Sequence, residues 1–326
     1  MDILVIGGTE FVGRHIVERA LLLGHRITVF HRGQHGIDLY PSARHILGNR
    51  DGELDALGDE KWDAVIDTCG YVPRIVKQSV EKLKGRTNAY LFISTISVYA
   101  EPAQPGLTES GPLAKLEDET TEVVDAQTYG GLKVHCEQAV TEAFGDKAVI
   151  VRPGMIVGPY DKTDRFTYWF RRAGKGGKML SVCERDEPLQ FIDGRDLAAF
   201  CIHLLSEFVV GTFNATGPQF SMTWGDIFDE AALAAGTEYE IVRPSEEWLK
   251  EQNVTISKAF PGQFPATGGF DALYQISVEK AVENGLRFRP LTDTIRDTLV
   301  WRDAIPDPLK VGLTDEEEAR LLEAYG

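Results

Sequence analysis

The stretch that decides the fold is DILVIGGTEFVG, residues 2–13. An apolar run enters a glycine turn at Gly7 and Gly8 and continues through Gly13 into a segment whose apolar residues have helical spacing. Such a turn lets the backbone approach a pyrophosphate, while the helix N-terminus supplies N–H groups and the positive end of its dipole. The stretch therefore predicts a dinucleotide-binding turn. Glu10 stands where the usual spacing has a further glycine, and we expect its carboxylate to point outward, because it would repel a pyrophosphate.

Alternation of strand-like and helix-like segments continues through the first half of the chain. The continuous apolar runs typical of strands covered on both faces are DILVIG, RITVF, RHILG, DAVIDT, NAYLFIST and KAVIVRP. Segments with helical spacing lie between them, namely FVGRHIVERALLLG, VPRIVKQSVEKLKG and QTYGGLKVHCEQAVTEAFG. This alternation predicts an α/β fold with a doubly wound parallel sheet. Residues 100–126, rich in proline and acid, are expected to form a long surface loop.

Composition excludes several classes of function. The chain has 326 residues, with 34 Lys and Arg against 50 Asp and Glu, a formal net charge of −16. That balance argues against nucleic-acid or anionic-membrane partners, whose binding depends on basic residues. The apolar runs are too short to span a membrane, the N-terminus lacks a signal peptide pattern, and the four cysteines have no metal-ligand spacing. We expect a cytoplasmic protein without a metal that takes a small-molecule substrate.

The end of the second strand, TVFHRG, bears on cofactor choice. Proteins that select NAD usually place an acid there to accept the ribose 2′-hydroxyl, whereas NADP requires a cation. This chain has His31 and Arg32 at those places. NADP is therefore favoured over NAD, the alternative being that Arg32 is only a solvated residue at a strand end.

A candidate acid/base pair lies in YGGLK, where Tyr129 and Lys133 are spaced for one helix face. A free tyrosine has a pKa of about 10. A nearby ammonium favours the phenolate and brings proton exchange toward neutral pH. The preceding strand ends FISTISVY, which puts the hydroxyls of Ser94, Thr95 and Ser97 at the carboxyl edge of the sheet, where ligands bind in open α/β folds.

Together with VRPGMIVGP and QFIDGRDLA, these motifs resemble the extended short-chain dehydrogenase/reductase family, the NAD-dependent epimerase/dehydratase group. The GGT-x-F-x-G form of the turn resembles a subgroup related to chloroplast stem-loop-binding proteins, some of which bind RNA. The resemblance implies a Rossmann domain of residues 1–155 and about 188–213, with a smaller α+β substrate domain of residues 156–187 and 214–326. It also implies that a homodimer can form through the Tyr129 helix.

The resemblance implies a catalytic triad of Tyr129, Lys133 and Thr95, with Ser94 the weaker candidate for the third member. Predicted cofactor contacts are Gly7, Gly8, Thr9, Glu10, Phe11, Val12, His31, Arg32, Asn49, Arg50, Cys69, Gly70, Ser94, Pro153 and Gly154. Predicted substrate contacts are Ser97, Tyr71, Arg165 and Trp169. For Trp169 the helical spacing favours a core position, and among the arginines of the same segment Arg171 and Arg172 are further candidates for an anionic substrate.

Departures from the family pattern narrow the chemistry. The family's dehydratases carry an Asp-Glu pair directly after the catalytic threonine, where this chain has Ile96 and Ser97, which argues against elimination of water. The arginine that clamps a nucleotide-sugar diphosphate is replaced by Leu189. We therefore expect an NAD(P)-dependent oxidoreductase that acts on a carbonyl or secondary alcohol of a small polar substrate. The alternatives are a sugar or sugar-nucleotide epimerase with retained NAD, and a non-catalytic cofactor-sensing or RNA-binding protein.

Overall fold

The computed structural model describes residues 1–100, 104–263 and 274–326. The chain divides into two compact units. The first consists of Met1–Ile156, Phe191–Gln219 and Ile276–Phe288, and the second of Val157–Gln190, Phe220–Gln275 and Arg289–Gly326.

The strands of the described residues are, in chain order, β1 (Asp2–Ile6), β2 (Arg26–His31), β3 (Arg44–Leu47), β4 (Trp62–Asp67), β5 (Thr87–Ile93), β6 (Ala148–Pro153), β7 (Met155–Val157), β8 (Gly177–Leu180), β9 (Pro188–Leu189), β10 (Phe191–Asp193), β11 (Gly211–Ala215), β12 (Met222–Thr223) and β13 (Tyr239–Val242). The α-helices are α1 (Phe11–Leu22), α2 (Pro73–Leu83), α3 (Tyr129–Phe144), α4 (Arg165–Lys175), α5 (Gly194–Ser206), α6 (Trp224–Ala235), α7 (Glu246–Glu251), α8 (Ile256–Ala259), α9 (Glu279–Glu283), α10 (Leu291–Asp303) and α11 (Asp315–Tyr325). Among these helices, none is long and apolar enough to cross a membrane.

A parallel sheet forms the centre of the first unit. Within the described residues it has seven strands in the order β11-β6-β5-β4-β1-β2-β3, and neighbouring strands run parallel. The predicted α/β fold with a doubly wound parallel sheet is confirmed. The seventh strand, β11, was not predicted, because its sequence GTFNA is short and carries little apolar signal.

Both faces of the sheet are covered, as the continuous apolar runs predicted. Alternate side chains of β1 point to opposite faces. Ile3 and Val5 pack in one cluster with residues of α1 and α5. Leu4 and Ile6 pack in another with residues of α2 and α3.

The strand register brings several loops to one edge of the sheet. Ile6 pairs with Asp67, Asp67 with Phe92, and Ala215 with Pro153, each near the carboxyl end of its strand. Because parallel strands end at the same edge, the segments that follow β1, β4, β5, β6 and β11 start side by side. This edge holds the candidate site.

Residues 276–288 belong to the first unit, although the sequence assigned them to the second domain. Helix α9 lies against β11, and Asn214 Nδ2 donates to the Ser277 carbonyl oxygen at 3.1 Å. Ser277 N–H in turn donates to the carbonyl of Leu107 at 2.9 Å. The prediction missed this because it missed β11, the element against which the segment packs.

The second unit is built around aromatic side chains of α4 and α6. Trp169 packs against Trp224 and Phe228 with ring centroids 5.6 Å apart in both pairs. The predicted capping box of the last helix is also present, since Thr314 accepts from the Glu317 N–H and the Glu317 side chain accepts from the Thr314 N–H.

Candidate active site

The turn after β1 requires its glycines. Gly7 and Gly8 have φ values of +103° and +83°, a region that other residues rarely adopt. A Cβ atom on Gly13 would lie 2.6 Å from the backbone nitrogen of Gly8, so the first turn of α1 presses directly on the glycine turn. Glu10 is exposed and its side chain does not cap the helix, in line with the expected outward orientation.

This turn fits a dinucleotide pyrophosphate. The positive φ values of Gly7 and Gly8 turn the chain directly into α1, so the N–H groups at the start of the helix lie next to the turn. Gly7 itself packs against Thr68, whose Oγ1 a Cβ there would approach to 2.3 Å. The predicted contacts Thr9, Phe11 and Val12 lie in the turn and at the start of α1. The geometry therefore meets the requirements of backbone donation to phosphate at a helix N-terminus.

The end of β2 carries two predicted cofactor contacts, His31 and Arg32, in different surroundings. His31 is buried, and its Nδ1 accepts from the Gly33 N–H at 3.2 Å, while its Nε2 lies 2.9 Å from His45 Nδ1. His45 Nε2 lies 2.8 Å from the Leu39 carbonyl oxygen. Burial, together with the neighbouring His45, lowers the pKa of His31, which favours its neutral form. His31 therefore adds little positive charge at this strand end.

Arg32, in contrast, is exposed and forms no ion pair within the described residues. It is the cation at this strand end that is available to a ligand.

Arg50 is held in a buried ion pair. Its guanidinium donates two hydrogen bonds of 2.7 Å to the fully buried carboxylate of Asp67 and one of 2.9 Å to Ser79 Oγ. Burial alone would raise the pKa of Asp67, but the Arg50 charge outweighs it and keeps that pKa below its ordinary value. Arg50, predicted as a cofactor contact, thus has a structural partner that the sequence did not reveal. Neighbouring Asn49 is exposed, and its Oδ1 accepts from the Asp51 N–H at 3.1 Å.

The segment after β4 contains Cys69 and Gly70. Burial raises the pKa of the Cys69 thiol, which keeps it protonated and argues against a nucleophile. A Cβ on Gly70 would lie 2.5 Å from the Phe92 ring, so the backbone passes very close to the sheet here.

Helix α3 begins at Tyr129, which is partly buried. The two glycines that follow let the helix approach its neighbours. A Cβ on Gly130 would lie 2.1 Å from the carbonyl oxygen of Ser97, and one on Gly131 would lie 2.7 Å from the Leu116 side chain. The glycines of YGGLK therefore press the start of α3 against the turn that follows β5.

Lys133 lies one helical turn beyond Tyr129, and its side chain is only 2% exposed. Its ammonium donates to the carbonyl oxygens of Gly70 at 2.8 Å and Ile93 at 2.7 Å. Lys133 thereby ties α3 to the ends of β4 and β5. Burial lowers the pKa of Lys133 to about 8. The ammonium is therefore charged at neutral pH and loses its charge as the pH rises through about 8.

Tyr71 adds a second phenol to this group. Its ring lies 6.4 Å from the Tyr129 ring, at an interplanar angle of 37°, and 5.4 Å from Lys133 Nζ. Partial loss of hydration and the neighbouring Tyr129 raise the pKa of Tyr71 to about 12, so its phenol is neutral at physiological pH. The structure thus brings Tyr71, Tyr129 and Lys133 together.

The hydroxyl groups after β5 have different partners. Ser94 Oγ donates to Glu137 Oε1 at 2.5 Å inside the protein. Thr95 Oγ1 accepts from the Ser97 N–H at 3.1 Å and lies 3.2 Å from Ser97 Oγ. Ser97 is exposed whereas Ser94 and Thr95 are buried. Ser94 is committed to Glu137, which favours the Thr95–Ser97 pair as the source of a hydroxyl for a ligand.

Sequence reasoning missed the buried network behind these hydroxyls. Arg152 donates to Glu137 Oε1 at 2.9 Å and Oε2 at 2.7 Å, and to Tyr99 Oη at 3.0 Å. Tyr99 in turn donates to Asn214 Oδ1 at 2.6 Å. One signal was available: Arg152 lies inside the apolar run KAVIVRP, and an arginine in a buried strand requires a partner.

Gly154 follows β6 at the same edge of the sheet. A Cβ there would lie 2.2 Å from Thr216 Oγ1, so only glycine fits between Pro153 and the end of β11. Thr216 is fully buried, and its hydroxyl has no hydrogen-bond partner among the described residues.

The candidates in the second unit are largely structural. Trp169 is fully buried and its Nε1–H donates to the Pro261 carbonyl oxygen at 2.6 Å, so it belongs to the aromatic core and not to a ligand surface. Arg171 is bonded to Asp303, and Arg172 is buried in an ion pair with Glu318. Arg165 is exposed, with its Nε–H donating to Thr163 Oγ1 at 3.1 Å.

Comparison with known proteins supports the architecture. A profile described as "Epimerase: NAD dependent epimerase/dehydratase family" matches residues 74–215, which begin inside α2 and run to the end of β11. The structure is similar to UDP-glucuronic acid 4-epimerase from Bacillus cereus in complex with NAD, with a TM-score of 0.68 and 15% identity over 94% of this chain and 98% of that one. It is also similar to UDP-glucose 4-epimerase from Thermotoga maritima with UDP-glucose, with a TM-score of 0.66 and 17% identity over 94% of this chain and 100% of that one. At these identities the likeness is one of fold.

One relative found by sequence comparison is named for binding a stem-loop and not for an enzyme activity. Chloroplast stem-loop binding protein of 41 kDa b from Arabidopsis thaliana is 26% identical over 313 residues, which cover 90% of this chain and 76% of that protein.

Proposed function

We propose that this chain is an NAD(P)-dependent oxidoreductase. The profile match and the fold, which support the NAD-dependent epimerase/dehydratase family, are the premise of this proposal. Its substrate would be a small polar molecule with a carbonyl or secondary alcohol. The observation that carries the proposal is the meeting of Tyr129, Lys133 and the Thr95–Ser97 hydroxyl pair at the sheet edge where the glycine turn also lies.

Tyr129 is the proton donor and acceptor in this proposal. It opens α3 beside Ser97, whose backbone carbonyl is close enough to exclude a side chain at Gly130. Lys133 supplies positive charge one turn away, which favours the phenolate. Ser97 Oγ, supported by Thr95, can donate a hydrogen bond to a substrate oxygen and so hold it near the phenol.

The residues proposed to hold the cofactor follow the sheet edge. The backbone of the Gly7–Gly8 turn and the start of α1 would hold the pyrophosphate, and Arg32 would pair with a ribose 2′-phosphate, which favours NADP. Cys69, Gly70, Pro153 and Gly154 lie along the same edge, in the segments that follow β4 and end β6. When bound, a nicotinamide cofactor would supply hydride transfer. Tyr71 and Ser97 are proposed to face the substrate, and exposed Arg165 stays a candidate for binding an anionic group.

Replacing Tyr129 with phenylalanine tests the catalytic assignment. Loss of a positioned acid/base group typically costs about 100- to 10,000-fold in rate, so Tyr129→Phe should lower kcat/KM by that order. NADPH oxidation with a panel of aldehydes, ketones and ketoses measures it, and NADPH fluorescence should show binding retained. Tyr325→Phe is the matched control, because this exposed phenol donates to the Arg243 carbonyl oxygen at 3.0 Å. Unaltered activity in Tyr129→Phe would remove the assignment.

The pH profile offers a second check on the same enzyme. The pKa of Lys133 is lowered to about 8 by burial, so its charge is present below that pH and lost above it. Activity that depends on this charge should decline as the pH rises through about 8.

Epimerisation through a transient ketone is the second candidate, favoured by the fold shared with UDP-sugar 4-epimerases. An epimerase keeps its cofactor and turns over without net change in it, whereas a reductase consumes NADPH in proportion to carbonyl. Purified protein that retains NAD through gel filtration and converts a sugar without NADPH consumption would favour the epimerase.

RNA binding is the third candidate, favoured by the relative named for stem-loop binding. The net charge of −16 opposes it. Binding of a labelled stem-loop RNA that weakens steeply with salt would support this function, and absence of RNA retention at low salt would remove it.

A further inference from the structure

The ammonium of Lys133 is enclosed by four neighbours. Two are backbone carbonyl oxygens, of Gly70 and Ile93, which accept its hydrogen bonds. Two are aromatic rings, of Phe92 and Tyr71, whose centroids lie 4.1 Å and 5.4 Å from Nζ. Ring faces attract a cation and exclude water from it.

Three of these neighbours are fixed by the sheet. Ile93 is the last residue of β5, and Phe92 is a fully buried residue of the same strand. Gly70 is confined, since a Cβ there would lie 2.5 Å from Phe92 and 2.8 Å from Val76.

Tyr71 differs from the other three. It lies in the connection between β4 and α2, and its side chain is 47% exposed. Its ring therefore has water on one side and the ammonium on the other.

We propose that Tyr71 is a positioning residue whose ring covers Lys133, keeps water from the ammonium and holds it on the carbonyls of Gly70 and Ile93. This role rests on the proposed oxidoreductase function, in which the charge of Lys133 acts on Tyr129. Both side chains of the proposed chemistry border the Tyr71 ring. A charge shielded from water acts more strongly on its surroundings than a hydrated one. The ring, not the hydroxyl, performs this role.

The experiment measures Lys133 directly, without cofactor or substrate. Trace reductive methylation with formaldehyde and cyanoborohydride, followed by peptide mass spectrometry, gives the labelling rate of each lysine as a function of pH. Exposed Lys147 serves as the internal reference. Since burial lowers the pKa of Lys133, labelling of the wild-type protein should have its midpoint near pH 8 and a low plateau.

Two variants separate ring from hydroxyl. In Tyr71→Ala, water reaches the ammonium, so the midpoint should rise by about one pH unit or more and the plateau rate by about tenfold. Tyr71→Phe keeps the ring and should match the wild type. If Tyr71→Ala does not fold, Tyr71→Asn takes its place, and the same rise in midpoint and plateau rate is expected. An unchanged midpoint and plateau in the ring-deleted protein would overturn the proposal.

The link to catalysis has its own readout. The alkaline limb of the pH profile for NADPH oxidation should move upward in Tyr71→Ala by the same interval as the labelling midpoint, with kcat lowered more than KM is raised. A labelling shift without a shift in the pH profile would also overturn the positioning role. Should NADPH neither bind nor be oxidised by the wild type, the oxidoreductase proposal fails, and with it the catalytic role of Tyr71, while the labelling result still tells whether the ring covers Lys133.

Discussion

Each unit contains a buried ion pair between an arginine and a glutamate, and the two pairs form hydrogen bonds with different kinds of neighbouring group. Arg152 and Glu137 in the first unit have side chains 5% and 7% exposed, and Arg172 and Glu318 in the second have side chains 8% and 5% exposed. The two ion pairs are therefore alike in charge and nearly equal in burial.

The difference lies in the third group that each pair holds. Glu137 accepts from the hydroxyl of Ser94, the residue directly after β5. Glu318 accepts from the backbone N–H of Leu180 at 3.0 Å, and Arg172 donates to the Gly176 carbonyl at 2.9 Å, so that pair closes the connection from α4 to β8. A buried ion pair supports function only through the group it fixes, and only the first pair fixes a group at the sheet edge.

Removing either glutamate tests this comparison. Glu137→Ala and Glu318→Ala should each lower the free energy of unfolding by about 3–5 kcal/mol, because each leaves an arginine buried without its partner. Urea unfolding measures both.

The milder pair Glu137→Gln and Glu318→Gln then separates function from stability. Per folded molecule, Glu137→Gln should lower NADPH-dependent activity about tenfold, which corresponds to an activation free energy higher by about 1.4 kcal/mol. Glu318→Gln should leave the activity unchanged. Equal activity losses in the two variants would mean that the first pair is no more functional than the second.

Two helical glycines extend the comparison to backbone packing. A Cβ on Gly13 would lie 2.6 Å from the Gly8 nitrogen, whereas a Cβ on Gly174 in α4 would meet its nearest atoms at 3.5 Å, an ordinary contact. Gly13→Ala should cost about 1–3 kcal/mol of stability through overpacking and weaken NADPH binding. Gly174→Ala should be neutral or stabilise by up to about 1 kcal/mol.

Fluorescence titration with NADPH and urea unfolding distinguish these outcomes. Tight NADPH binding by Gly13→Ala would show that the close approach of α1 to the turn is not needed for the cofactor.

Sequence pattern predicted what depends on local spacing. The apolar runs located β1 to β6, and helical spacing located α1, α2 and α3, because burial on both sheet faces leaves a direct trace in the sequence. The sequence also predicted that the segments around Gly7, Thr95 and Tyr129 lie close together, because parallel strands end at one edge of the sheet.

Partners of buried charges could not be predicted in the same way. Arg50 pairs with Asp67 and Arg152 with Glu137, at separations of 17 and 15 residues, and neither spacing is a helical or strand repeat. Trp169 had two interpretations, a substrate contact near arginines and a core residue at helical spacing, and its complete burial agrees with the second. Tertiary packing, not local pattern, decides these roles.

Arg32 gives the sharpest cofactor test. Because His31 is buried against His45, the proposed preference for NADP rests on the exposed guanidinium of Arg32. Arg32→Ala should weaken NADPH binding about tenfold, which corresponds to about 1.4 kcal/mol, and should leave NADH binding unchanged. The matched control is Arg26→Ala at the other end of β2, where Arg26 pairs with Asp2 on the surface and such pairs contribute little. Because salt screens an exposed charge, the loss on removing Arg32 should shrink at high ionic strength. Equal weakening of NADPH and NADH binding would show that Arg32 does not read the 2′-phosphate, and the NADP preference would then have no residue to support it.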